Sequence, residues 1–165
     1  MKRPADCERV LPFVISAGQA RMYNLCFGEA RILVDGECSG GSCWMGVFRQ
    51  DPGFVTPLHL HPNTDEYLFV IDGVLSVYIT GKWYDLEGGS VAVVPHGAPH
   101  AQCNAGKQST RLFGFGNPAG FEHFFAAQHE LLARLSPSAP QYFSEMAKLL
   151  RGYDTEVIAP PPARP

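Results

Sequence analysis

Turn-forming residues break the chain at short, regular intervals between Asp51 and Gly106, and that rhythm most limits what it can fold into. The breaks are Asp51-Pro52-Gly53, Pro62-Asn63, Asp72-Gly73, Gly81, Gly88-Gly89, the stretch from Pro95 to Pro99, and Asn104 to Gly106. The runs between them are too short for helices and rich in Val, Ile, Leu, Tyr and Phe. Short apolar runs bounded by such residues read as strands of an all-β domain. Strands are predicted over residues 43–49, 56–61, 66–71, 74–79, 82–86, 90–94, 100–103 and 111–115, with two more at 21–25 and 29–34. Asp72-Gly73 between two apolar runs is a tight hairpin turn.

The period changes after Pro118. Phe121, Phe124, Phe125, Leu132 and Leu135 recur at helical spacing. A second helix is predicted from about residue 140 to 151, with Tyr142, Met146, Leu149 and Leu150 on its apolar side. Ser138 and Gln141 suit a capping box, and Gly152 suits a helix stop. Residues 160–165 read as an extended tail. No repeat and no linker divides the chain.

With 165 residues, 45% of them hydrophobic and 18% charged, the chain can bury a core and is too apolar for disorder. A formal charge of -3 and the lack of any Lys/Arg run argue against a nucleic-acid partner. No apolar stretch approaches the ~20 residues of a membrane helix. Lys2 and Arg3 precede an apolar run over residues 10–17, but Pro4, Asp6, Glu8 and Pro12 spoil a signal-peptide pattern, so a cytoplasmic protein is expected. The five cysteines are odd in number and form no C-x-x-C, which suggests neither a zinc knuckle nor a disulfide framework. Cys38 and Cys43 flank a Ser39-Gly40-Gly41-Ser42 turn that a disulfide could span; reduced thiols fit a cytoplasmic chain better.

Two linked patterns lie within the strand region. The first is Gly53, five residues, His59-x-His61, four residues, Glu66, six residues, Gly73. The second is Gly89, five residues, Pro95-x-Gly97, two residues, His100, three residues, Asn104. Alternate residues on a strand share a face, so His59 and His61 point one way together. Pro62-Asn63 turns the chain, and Glu66 on the next strand can face back toward them. His100 arrives from a later strand. Three imidazoles and a carboxylate suit a divalent ion such as Ni, Mn, Co, Fe, Cu or Zn, with coordination positions left for water, substrate or oxygen. A lone His-x-His is common on any surface. Here ten positions are specified together, each met by chance about 5% of the time.

These patterns resemble the two motifs of the cupin superfamily. Residues 53–73 match the first and 89–104 the second, with only fifteen residues between them. The resemblance implies a jelly-roll β-barrel with His59, His61, Glu66 and His100 as metal ligands inside it. It places Gly73 and Gly97 in tight turns and gives Asn104 the task of tying the last loop to a strand. Under this reading the chain is a single domain. Residues 1–40 form an N-terminal strand-rich arm, 41–117 the barrel, and 118–165 a helical tail packed on it. A narrower resemblance links Asn117-Pro118-Ala119-Gly120-Phe121-Glu122, Phe124-Phe125 and the closing Val157-Ile158-Ala159-Pro160-Pro161-Pro162 to quercetin 2,3-dioxygenase-like cupins. It implies cleavage of a flavonol or related enol by O2 at the metal. Glu66 is the candidate catalytic base as well as a ligand, or a ligand alone.

Strand parity nominates a pocket wall. Residues two beyond an inward ligand also point inward, giving Leu68 and Val70 after Glu66 and Gln102 after His100. An outward Arg49 places Trp44, Gly46 and Phe48 inside, and an outward Arg111 places Leu112 and Gly114 inside. Trp44, Phe48, Leu68, Gln102 and Leu112 are thus the candidate substrate-binding residues, suited to a largely apolar, oxygenated small molecule. His96, His123 and His129 are expected not to be ligands. Two other readings keep the fold: a metal-dependent isomerase, cyclase, lyase or decarboxylase that needs no O2, and a non-catalytic small-molecule binder. An outward row of Tyr67, Phe69 and Ile71 would suit a homodimer, or a cover made by the chain's own ends.

Overall fold

The computed structural model describes residues 12–164; Cys7 lies outside them. Alternating burial along each strand sorts the side chains into an inner and an outer set. In β3 (Trp44–Gln50) residues 44, 46, 48 and 50 are buried and those between are half-buried. In β10 (Thr110–Asn117) the buried positions are Thr110, Leu112, Gly114 and Gly116. In β5 (Asp65–Asp72) they are Glu66, Leu68 and Val70. Two antiparallel sheets lay these inner faces against each other.

The first sheet has six strands in the order β1-β2-β3-β10-β5-β8. Its remaining members are β1 (Arg21–Leu25), β2 (Gly28–Val34) and β8 (Val91–Val94). The second sheet has five strands in the order β11-β4-β9-β6-β7. These are β4 (Leu58–Leu60), β6 (Val74–Ile79), β7 (Lys82–Glu87), β9 (His100–Cys103) and β11 (Glu156–Ala159). The architecture is mostly antiparallel β with helices at the C-terminal side, as the sequence predicts. A four-residue helix, α1 (Gly36–Ser39), and two longer ones, α2 (His123–Arg134) and α3 (Tyr142–Leu150), complete the elements.

The core joins both sheets and α2. Leu68, Val70, Leu75, Val77, Leu112, Trp44 and Phe48 pack with Phe121, Phe124 and Phe125. Phe48 and Phe125 are in ring contact at 4.9 Å between centroids. Truncating one such buried ring to Ala typically costs about 3–5 kcal/mol. Gly73 has φ +81° in the β5–β6 turn and Gly97 has φ +74°, backbone geometry that glycine adopts without strain. Gly116 is required by proximity: a Cβ there would sit 2.1 Å from the Trp44 indole nitrogen. Asn104 donates from Nδ2 to the carbonyls of Gln50 and Gln108, both at 2.8 Å, and so ties the loop after β9 to the end of β3.

Two expectations need correction. Residues 156–159 do not belong to a purely helical tail: β11 pairs antiparallel with β4, placing Val157 opposite His59. The Ser138–Gln141 capping box does not form, because Ser138 is engaged with Ser136 and α3 begins after Gln141 without a side-chain cap. The tail after Ala159 is anchored through Arg164, whose guanidinium pairs with both Asp85 carboxylate oxygens at 3.0 Å and lies 5.5 Å from the Trp83 ring. Cys38 and Cys43 are free thiols.

Candidate metal centre

Strand pairing brings the histidines together. His59 of β4 lies directly opposite His100 of β9 in the ladder, and their ring centroids are 4.2 Å apart. His61, two residues on and facing the same way, is 5.2 Å from His59 and 5.4 Å from His100 by the same measure. All three are buried, and one ring nitrogen from each lies within 4.8 Å of the others. Two ligands on opposite sides of one ion are about 4.2 Å apart at bond lengths near 2.1 Å. The three nitrogens are thus close enough for their side chains to converge on one ion.

Glu66 enters from the other sheet, where Gly116 and Val94 are its strand neighbours. Its Oε2 stands 3.2 Å from His100 Nε2, close enough for an ion pair yet not aligned as a hydrogen bond. The three imidazoles form the mutually close set, and the carboxylate touches that set through His100. Both Glu66 Oε2 and His100 Nε2 are buried without a hydrogen-bond partner. Buried polar atoms are seldom left that way, and a cation between them would satisfy both.

The ring orientations follow one rule. His59 Nδ1 is 2.9 Å from the Pro57 carbonyl and His100 Nδ1 is 3.0 Å from the Ala98 carbonyl, each two residues back along the chain. His61 Nδ1 is 2.8 Å from the carbonyl of Asp154, far away in sequence. A carbonyl accepts only, so each Nδ1 carries a proton, and in the neutral imidazole Nε2 is left with its lone pair free. That is the tautomer a metal needs. These residues fit a divalent ion by donor chemistry, burial and tautomer together.

Electrostatics agree. Burial first, then the charge on His100 and His61, pushes His59 down to about 3, so it stays neutral at ordinary pH. Burial works to raise Glu66, but its contact with His100 and the surrounding imidazoles outweighs that and holds it down to about 2. Burial opposes a charge on His100 too, yet the adjacent carboxylate wins and raises it. In the metal-free site Glu66 and His100 thus each favour the charged form of the other.

The wall residues named from parity are all buried. Leu68 and Leu112 line the interior, and Gln102 accepts at 3.1 Å from Gln50 Nε2. Trp44 and Phe48 meet the α2 cluster: Trp44 contacts Phe121 and Phe125, and its indole N–H has no partner. Phe121 also stands edge-on to His61 at 4.7 Å and covers it. His96 and His123 are exposed, and His129 accepts from the Asn24 backbone N–H. Sequence reasoning did not find Gln50, whose Oε1 is a buried acceptor without a partner, or the three backbone carbonyls. A carbonyl leaves no trace in sequence; Gln50 was within reach of the parity argument, one step past Phe48. A cavity of about 20 Å³ bordered by Arg21, Asp35, Glu122 and His123 lies at the start of α2, where one water would fill it.

Comparison with known proteins places this arrangement. Residues 46–115 match the cupin domain family. Quercetin 2,3-dioxygenase of Bacillus subtilis (strain 168) is 26% identical over 116 residues, covering 70% of this chain and 34% of that protein. Germin-like protein 9-3 of Oryza sativa subsp. japonica is 38% identical over 87 residues, covering 49% of this chain and 41% of the relative. The chain therefore spans well under half the length of these relatives. Polyketide synthase CurC of Streptomyces cyaneus is 24% identical over 106 residues, covering 64% of this chain and 69% of the relative. Among solved structures, KdgF from Halomonas sp. superposes with a TM-score of 0.58 at 16% identity, covering 66% of this chain and 94% of that one. A predicted oxalate decarboxylase from Thermotoga maritima gives 0.55 at 18% identity, covering 64% and 99%. Both support the barrel fold. Among the described residues, no helix is long and apolar enough to cross a membrane.

Proposed function

We propose that this chain is a metal-dependent dioxygenase of the quercetinase type, cleaving a flavonol or a related enolic small molecule with O2. The observation that carries the metal part is the trio of buried imidazoles, each with Nδ1 committed to a carbonyl and Nε2 free. The likeness to the Bacillus subtilis enzyme over 70% of the chain supports the choice of reaction. His59, His61 and His100 would hold a divalent ion (Ni, Mn, Co, Fe, Cu or Zn) through Nε2, with Glu66 as fourth ligand. When bound, the ion supplies Lewis acidity toward a substrate hydroxyl and a route for electrons to O2.

The protein's own part follows from the interior. Glu66 is ionised, so its Oε2 can accept a hydrogen bond from a substrate hydroxyl. The unpartnered Trp44 N–H is a ready donor, and Gln50 Oε1 a ready acceptor, for substrate oxygens. Phe48, Leu68 and Leu112 offer flat, apolar packing, and Gln102 holds Gln50 in place. Phe121 over His61 restricts water at that end.

Metal-loaded protein incubated with a flavonol should consume O2 and release CO. No uptake with any of Mn, Fe, Co or Ni would count against the reading. A second reading, an O2-independent cyclase, isomerase, lyase or decarboxylase, is favoured by the likeness to polyketide synthase CurC, which covers most of both chains. Turnover undiminished under strict anaerobiosis would select it. A germin-like, non-catalytic binder would hold ligand without product and tolerate Glu66→Gln. The exposed outer row containing Phe69 and Ile71 supports a homodimer.

A further inference from the structure

We infer that Asp154, outside the matched cupin domain, is a positioning residue that sets the orientation of His61. This inference rests on the three-histidine metal reading above. His59 and His100 obtain their Nδ1 acceptor locally, from the carbonyl two residues back. His61 cannot use that device, because its residue two back is His59, which sits in the ladder between Val157 of β11 and His100 of β9. Its acceptor comes instead from Asp154, just before β11.

Asp154 is built to hold that carbonyl in place. Its φ of +42° is left-handed, a conformation Asp and Asn tolerate better than most residues. Its carboxylate grips the loop that carries His61 into β5. One oxygen accepts from Asn63 Nδ2 at 2.7 Å, and the other from Thr64 Oγ1 at 2.6 Å and the Asn63 backbone N–H at 3.3 Å. One residue thus orients the imidazole with its backbone and locks the adjoining loop with its side chain. Thr155, the next residue, is buried with its hydroxyl 3.4 Å from the same Nδ1 and bonded to the Tyr153 carbonyl at 2.9 Å, which reinforces the placement. The ligand set of the barrel is therefore completed by the C-terminal segment.

The test uses the full chain and cobalt(II) as probe. Titration gives the Kd, and nitrogen-15 NMR of metal-free protein reports which His61 ring nitrogen is protonated. Asp154→Ala keeps the carbonyl but removes the carboxylate that fixes its position, so it should weaken cobalt binding about 10-fold, the low end for a disturbed outer partner, and leave His61 without a single Nδ1–H tautomer. Asp154→Asn, which keeps one acceptor oxygen and suits the left-handed backbone, should recover most of both signals. Cobalt affinity and His61 tautomer unchanged in Asp154→Ala, with only a lower melting temperature, would overturn the assignment. If that variant fails to fold, Asp154→Gly keeps the backbone geometry without the carboxylate; affinity equal to wild type would overturn the assignment in the same way. Should wild-type protein bind no cobalt, the metal reading falls, while the tautomer comparison still decides the role of Asp154.

Discussion

An imidazole binds a metal through a lone pair, so every proton on the wrong nitrogen competes with the ion. Because Glu66 favours a proton on His100, that proton and a metal ion compete for the same nitrogen. Cobalt affinity measured by calorimetry should therefore fall as the pH is lowered; an affinity independent of pH would contradict competition at His100. His59 makes a separate prediction for metal-free protein. The unfolded chain takes up its proton below 6.5, whereas folded His59 resists until about 3. Unfolded protein binds more protons across that window, so stability falls as pH drops through it and levels off above it. The raised His100 acts above 6.5 with the opposite sign, so the two do not overlap. Moving from pH 7 to 5 should lower the melting temperature by about 5 °C, from ~1.4 kcal/mol per pKa unit and ~2–4 °C per kcal/mol for a chain of this size. His59→Asn should flatten that slope, and an unchanged slope would remove His59 as its cause. At this scale the sequence exposed His59, His61, Glu66 and His100 because motif spacing and strand parity act on side chains. It hid Pro57, Ala98 and Asp154 as partners because their contribution is a carbonyl, which every residue possesses.

Elements are legible where their signal is local. The Asp72-Gly73 turn, the alternation in β3 and the helical period after Pro118 each lie within a dozen residues, and each element is found. β11 was invisible for the complementary reason. Its pairing joins residues 156–159 to 58–60, far apart in the sequence, and the prolines that follow mask a short strand. The capping box expected ahead of α3 is absent because Ser136 competes for Ser138, a local hydrogen bond that replaces the cap. The start of α2 carries the prediction belonging to this scale. Phe121 just ahead of the helix covers His61, and the Glu122 carboxylate fixes that corner by accepting from the Gly36 and Gly120 backbone N–H groups at 2.8 and 2.5 Å. Phe121→Ala should lower the melting temperature by about 10 °C, from a typical 3–5 kcal/mol loss. It should also speed the removal of bound metal by a chelator. A lower melting temperature alone, with chelation unchanged, would reduce Phe121 to packing.

The whole barrel leaves one face to be accounted for. On the outside of the six-stranded sheet, Phe113 lies between Val47 and Phe69, and Phe69 lies opposite Val91. The next row sets Phe115 between Met45 and Tyr67, with Tyr67 opposite Val93. Phe69, Val91 and Val93 are 42%, 52% and 50% exposed, so neither the C-terminal helices nor another described segment covers them. Contiguous apolar surface of this kind on a folded chain usually marks a contact. A second copy is a suitable partner, because the bordering Arg111 is already paired with Asp72 at 3.0 Å and brings no unbalanced charge to a two-fold contact. Parity in the sequence identified the Tyr67, Phe69 and Ile71 row but not its neighbours, since strand order decides which rows become adjacent. Sedimentation at micromolar concentration should give a dimer for the wild-type chain. Phe69→Lys with Val91→Lys places two ammonium groups directly across the ladder on that face, and should give a monomer that still binds cobalt. A wild-type monomer, or a double variant that remains dimeric, would exclude this face as the interface.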